Sequence, residues 1–151
     1  MISVSTSLEM KILETLRALD PGVQCVGLME VADAGVQKEQ DLSSLQVRVY
    51  NFAQQSENSG MFTVYAEIRL NVEQAESANG GVFVEAHEKV ALWLEHVMLD
   101  SNCEELDTSE AFVDGLQRTG GDKDFDTSGG VWFALWNLTL SGRKKENTNE
   151  E

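Results

Sequence analysis

The chain has 151 residues, a length that fits one domain with a core of its own. Its 26 aspartates and glutamates outnumber its 11 lysines and arginines, and the formal net charge of −15 argues against a surface that grips nucleic-acid phosphates or anionic lipid. With 42% hydrophobic residues, one proline and no apolar run near 18 residues, the composition predicts a globular protein without a membrane span.

A short amphipathic helix is predicted first. Thr6 and Glu9 have the spacing of a capping box, in which two side chains satisfy free N–H groups at a helix start. The apolar residues Leu8, Ile12, Leu16 and Leu19 then recur at helical spacing. The sequence Asp-Pro-Gly at 20–22 should end the helix.

Three strands are predicted next. Residues 23–30 are mixed and rather apolar, and the polar segment 31–43 indicates a loop to which we assign no role. Residues 44–52 and 61–73 alternate apolar and polar side chains, which is typical of strands with one buried face. The short polar turn between them predicts an antiparallel hairpin.

A long helix is predicted over 81–99, opened by the turn residues 79–81. Its apolar stripe consists of Phe83, Ala86, Val90, Leu94 and Val97. Leu92 and Leu99 interrupt the opposite, acidic face. Two interpretations stay open for them: scattered surface leucines, which are ordinary, or a subunit contact.

The last part of the chain begins with an acidic connector at 100–110 and a strand at 112–118. A Gly/Asp-rich loop at 119–130 leads to a final strand at 131–140, which is apolar on both faces. One face carries Val131, Phe133 and Leu135, and the other carries Trp132, Ala134, Trp136, Leu138 and Leu140. Such a strand is either covered by helices on each side or covered on one side by another chain.

The element order α-β-β-β-α-β-β predicts an α+β fold in which two helices pack on a curled, mostly antiparallel sheet of about five strands. Residues 1–142 should form a single domain, and the all-polar segment 143–151 is expected to be a disordered tail. The N-terminal sequence has no signal-peptide pattern, so we expect the protein to fold and work in a reducing cytoplasm or to be assembled there. Cys25 and Cys103 are isolated from each other, and both should be reduced and at least partly buried.

No catalytic or cofactor motif is present, so the sequence predicts neither an enzyme nor a bound cofactor. His87 and His96 lie nine residues apart on one helix, on opposite sides, and cannot share a metal ion or a proton relay there. His87 falls on the apolar stripe and is expected to pack in or near the core.

The alternating Asp122, Asp124 and Asp126 could offer oxygens to a cation. The calcium-loop pattern fails, because its sixth position is Thr127 and its twelfth is Phe133. A solvated acidic loop without a metal is expected, and cation binding is left open.

This layout resembles the tail terminator and tail-completion proteins of long-tailed bacteriophages over roughly residues 5–142. The resemblance lies in the first helix (SLEMKILETLRAL), the second helix (HEKVALWLEHVML) and a closing hairpin whose last strand carries Trp132 near its start. It implies a ring, usually a hexamer, that caps the tail tube, stops its elongation, docks the head and forms a channel for the genome.

The resemblance implies a location in the virion tail, assembled in the host cytoplasm, with tail-tube and head-completion proteins as partners. A ring needs heterologous apolar contacts, for which Leu92, Leu99, Trp132 and Trp136 are the candidate interface residues. A channel that passes DNA without binding it should repel phosphate, and Asp122, Asp124 and Asp126 are the candidate lining.

Three other functions compete with this one. A soluble acidic DNA mimic would occupy the basic groove of a nuclease or repressor. The chain could also be another neck or head-closure component of a virion, or an enzyme or ligand-binding domain.

Overall fold

A computed structural model of the protein describes residues 3–27, 43–56, 60–73, 79–119 and 131–145. The order of its elements is the predicted α-β-β-β-α-β-β, with one additional short 3-10 helix. The elements are α1 (Val4–Ala18), β1 (Gln24–Gly27), β2 (Ser44–Ser56), β3 (Met61–Glu73), α2 (Asn79–Val97), the 3-10 helix (Asp100–Leu106), β4 (Ala111–Arg118) and β5 (Val131–Lys144).

The five strands form one open sheet in the order β1-β2-β3-β5-β4. β2 and β3 form the predicted antiparallel hairpin, and β5 pairs antiparallel with both β3 and β4. β1 pairs with β2 in parallel, so the sheet is mixed. The longest ladder joins β3 to β5 over the whole of β3, which places these two strands at the centre of the molecule.

Both helices cover the same face of the sheet. The buried side chains of β3 are those predicted from its alternation: Phe62, Val64, Ala66, Ile68, Leu70 and Val72. They share one core cluster with the apolar stripes of the two helices. The stripe of α2 is also the predicted one, since Phe83, Ala86, Val90, Leu94 and Val97 are all buried. The opposite face of the sheet, which we call the open face, has no helix over it among the described residues.

The start of α1 differs from the predicted capping box. The N-cap is Ser3, whose Oγ accepts a hydrogen bond from the backbone N–H of Thr6 at 3.1 Å. Ser3 and Thr6 are both good capping residues, and the local sequence alone does not decide between them. The helix ends as predicted ahead of Asp20, which has a positive φ of 54°.

Glu9 does not cap the helix because it has a tertiary role. Its side chain is only 3% exposed, and its Oε1 accepts a hydrogen bond from the backbone N–H of Val49 at 3.1 Å. The last described pair of β1 and β2 is Gly27 with Val47. Glu9 bonds the β2 backbone two residues further along, at Val49. Gly27 gives it room, since a Cβ there would lie 3.2 Å from Glu9 Oε2.

Two segments near the C-terminus differ from the prediction. The acidic connector contains the 3-10 helix, anchored by the buried Cys103 and Leu106. β5 continues to Lys144, so the predicted boundary of the disordered tail at 143 is wrong. Arg143 pairs with Met61 of β3 and with Phe112 of β4, and Lys144 pairs with Ala111 of β4, so both residues belong to the sheet. Residues 146–151 lie outside the described part of the chain.

Both cysteines are free and buried, as predicted. Cys103 Sγ donates to the carbonyl of Val97 at 3.3 Å. Burial raises the pKa of the Cys25 thiol, and the nearby Arg17 guanidinium partly opposes this shift. Both thiols are therefore part of the packing.

We predict that Glu9→Ala lowers the free energy of unfolding by about 1–3 kcal/mol, because it leaves the buried N–H of Val49 without this acceptor. Glu9→Gln keeps an acceptor oxygen at the same reach and should lose clearly less. Urea denaturation followed by circular dichroism measures both. Equal losses for the two variants would show that the carboxylate charge, and not the hydrogen bond to β2, carries the effect.

Candidate subunit interface

Leu92 and Leu99 are the two most exposed large apolar side chains of the described residues, at 57% and 59%. Leu92 lies on the side of α2 that points away from the core, and Leu99 follows the helix end. At about 100° per residue, Val84, Glu88, Leu92 and Glu95 fall within an arc of about 80°. We call these four residues and Leu99 the outer stripe of α2. It alternates apolar and acidic side chains over the length of the helix.

Trp136 is not available to another chain, so its place in the predicted interface is wrong. Its side chain is 1% exposed and lies under α2, with its ring centroid 5.1 Å from that of His87. The guanidinium of Arg118 lies over the same ring, 6.0 Å from its centroid. The helical face of β5 is covered by this chain itself.

Trp132 is partly buried and packs against the first turn of α2. Its ring centroid is 6.2 Å from that of Phe83. A Cβ on Gly80 would lie 3.0 Å from Trp132 Cη2, so the glycine allows the helix to begin directly over the indole ring. Trp132 therefore serves mainly to seat α2 on the sheet.

The face of β5 that no described helix covers is the one with Phe133 and Leu135, both half-buried. The sequence correctly indicated that β5 is apolar on both sides. The sequence does not show which side the helices cover, because alternation separates the two faces of a strand and both faces of β5 are apolar. The exposed apolar surface of this strand is thus part of the open face.

At the centre of the open face, Glu67 joins two arginines. Its Oε1 accepts from Arg48 Nη2 and its Oε2 from Arg69 Nη2, both at 2.9 Å. The carboxylate is 10% exposed, whereas the side chains of Arg48 and Arg69 are 49% and 43% exposed. The cluster therefore presents two guanidinium groups to solvent and keeps its one negative charge beneath them.

Each basic group on the open face lies over an aromatic ring. Arg48 is 4.9 Å from the Tyr50 ring centroid, and Arg69 is 5.4 Å from that of Phe133. Nearer the sheet edge, Arg143 and Lys145 lie 5.5 Å and 4.7 Å from the ring centroid of Phe112. These four residues are a large share of the 11 lysines and arginines in the chain. In a protein of net charge −15, the open face thus gathers these four basic residues and their aromatic rings beside the acidic Glu67 and Glu73.

The described residues contain no group of three or more histidine, cysteine, aspartate or glutamate side chains placed to hold a metal ion. His87 packs against Trp136 with its ring tilted by 41°, as expected for a packed histidine, and His96 Nε2 lies 2.7 Å from Glu105 Oε2 on the surface. The candidate channel residues Asp122, Asp124 and Asp126 fall outside the described part of the chain. The segment 31–42, most of the long predicted loop, does so as well.

No protein-family model matches the chain, and no curated protein matches its sequence. Among the described residues, no helix has the length and apolar character needed to cross a membrane. The outer stripe of α2 and the open face are therefore the features that bear on function.

We predict that Gly81→Ala stabilises the protein by up to about 1 kcal/mol, because alanine is the better helix former and nothing lies within 4 Å of the new Cβ. Gly80→Ala has the same helical benefit but forces the new Cβ against the Trp132 ring, so its gain should be smaller or reversed. Thermal unfolding of the two variants gives the comparison. A larger gain for Gly80→Ala would mean that Trp132 does not seat the helix as described.

Proposed function

We propose that this chain is a structural virion component similar to phage tail terminators. In this role, copies of the chain form a ring that caps the tail tube, stops its elongation, joins the head and lines a DNA channel. It is not an enzyme in this proposal, and its partners are its own copies together with tail-tube and head-completion proteins.

The observation that carries the proposal is the exposure of Leu92 and Leu99 on one side of the molecule. Fully burying a leucine side chain is worth about 1.5–3 kcal/mol relative to leaving it in water. Here the two leucines interrupt an acidic surface instead of entering the core. Their burial against a neighbouring copy supports self-association, which a ring requires.

The distribution of charge favours a ring over a DNA mimic. A mimic should present one broad, continuous acidic face to the basic groove of its target. In this fold the open face of the sheet carries Arg48, Arg69 and Arg143, while the acidic residues Glu88 and Glu95 lie on α2. Two surfaces of different sign suit contacts between copies.

We predict that the purified protein has a native mass of several copies and shows annular particles in negative stain. Six copies of the 16.7 kDa chain would have a mass of about 100 kDa. Light scattering coupled to size exclusion over a range of concentrations measures the mass. A single-chain mass at every concentration, without annular particles, would overturn the proposal.

The same measurement applied to variants tests the leucines. Leu92→Asp with Leu99→Asp should abolish assembly while leaving the thermal unfolding midpoint nearly unchanged. Met10→Asp is the matched control, because Met10 is also a helical residue, is 54% exposed and lies on α1. Loss of assembly in the control as well would show a general charge effect and not a contact at Leu92 and Leu99.

A further prediction concerns the proposed channel lining. Replacing Asp122, Asp124 and Asp126 together by Asn removes three negative charges from the loop. The assembled protein should keep its native mass and should retain double-stranded DNA more strongly at low ionic strength, where phosphate repulsion is least screened. Fluorescence anisotropy of a labelled duplex measures this retention. Loss of assembly would instead place the loop in a subunit contact.

A further inference from the structure

We propose that the outer stripe of α2 in one copy docks on the open face of the sheet in the next copy. The inference rests on the self-assembly proposed above and names the two surfaces that meet. The occupant of the open face is a second copy of this chain.

The outer stripe and the open face have complementary apolar surfaces. The outer stripe offers apolar side chains at Val84, Leu92 and Leu99, which are 51%, 57% and 59% exposed. The open face offers aromatic surface at Tyr65, which is 41% exposed and lies 6.4 Å from Tyr50 between ring centroids. Apolar side chains from one copy would therefore meet aromatic rings of the other.

The charges match in the same way. Glu88 and Glu95 are exposed acidic residues of the outer stripe, and Arg48 and Arg69 are the two half-exposed guanidinium groups of the open face. Stacking an arginine on an aromatic ring leaves its N–H donors in the plane of the guanidinium, where a carboxylate can accept them. Like-charged surfaces elsewhere on so acidic a protein would repel, so this pairing also selects the orientation.

The spacing of the two glutamates on the outer stripe is close to that of the two arginines on the open face. Seven residues separate Glu88 from Glu95, which is about 10 Å along a helix. In the strand register, Arg48 of β2 lies opposite Glu67 of β3, and Arg69 lies two residues further along β3. With about 3.3 Å per residue and about 4.8 Å between strands, the two arginine Cα atoms lie about 8 Å apart. Long arginine and glutamate side chains bridge the difference easily.

The two surfaces lie on opposite sides of the sheet, because α2 covers one side and the open face is the other. A contact between different surfaces of the same chain is heterologous, and it repeats from copy to copy, closing into a ring when the rotation between copies allows it. Each copy would then contribute its helix in one direction and its sheet in the other. This is the repeating contact that a ring needs.

The test uses two sets of charge reversals in the full chain. In the first variant, Arg48→Glu, Glu67→Lys and Arg69→Glu reverse the sign of all three charges. Opposite charges still face each other within the cluster. In the second, Glu88→Lys and Glu95→Lys reverse the outer stripe. Each variant alone would place like charges against each other in every contact. It should therefore need at least a tenfold higher protein concentration to assemble.

An equimolar mixture of the two variants is the decisive sample. The acidic stripe of the first variant then meets the unchanged basic face of the second, and the lysine stripe of the second meets the reversed face of the first. The two variants should therefore alternate in assemblies that have the native mass of an even ring. Restored assembly supports the pairing, whereas failure of the mixture overturns it. If each variant assembles alone as the unmodified protein does, the pairing is wrong but the ring stands; if the unmodified protein never assembles, the proposed function fails.

Folding of each variant is checked by circular dichroism and thermal unfolding. Should the triple variant fail to fold, Tyr65→Glu adds a negative charge to the same face and leaves the Glu67 pairing intact. It should weaken assembly, because it places a carboxylate against the apolar and acidic side chains of the outer stripe. Assembly of Tyr65→Glu at the unmodified concentration would overturn the docking proposal by itself.

Discussion

The alternation of side chains along β3 is the constraint on which the rest of the molecule depends. Six apolar residues at alternate positions point to one side, so both helices must cover that side to remove this surface from water. The register of β3 with β2 and β5 imposes the same division on its neighbours. The polar and aromatic residues at the odd positions are left together on the other side. Core and open face therefore arise from a single pattern of period two.

The elements with a strong periodic signal could be predicted from the sequence. β3 and the buried stripe of α2 agree residue by residue, because each carries an uninterrupted apolar repeat. The prediction failed where a distant partner decides the local structure. Glu9 has the spacing of a capping residue but bonds Val49, forty positions away. Arg143 and Lys144 look like a polar tail, yet the ladders of two neighbouring strands hold them in β5.

The candidate site was predictable in part. Leu92 and Leu99 are visible in the sequence because they interrupt an acidic face, and the structure places both on the surface. The basic cluster could not be found in this way. Arg48 and Glu67 lie on different strands, and Phe133 reaches Arg69 only through the pairing of β3 with β5. Once the sheet register is known, the period-two signal that predicted the strands also groups these residues.

The position of Glu67 beneath two arginines has a consequence for the entropy of recognition. A free arginine on a surface samples many rotamers, and fixing it on binding costs about 0.5–1.5 kcal/mol for each side chain. Here the carboxylate and the rings of Tyr50 and Phe133 already restrain both guanidinium groups before any partner arrives. The face is preorganised, so a carboxylate that bound there would meet donors already restrained in the folded chain.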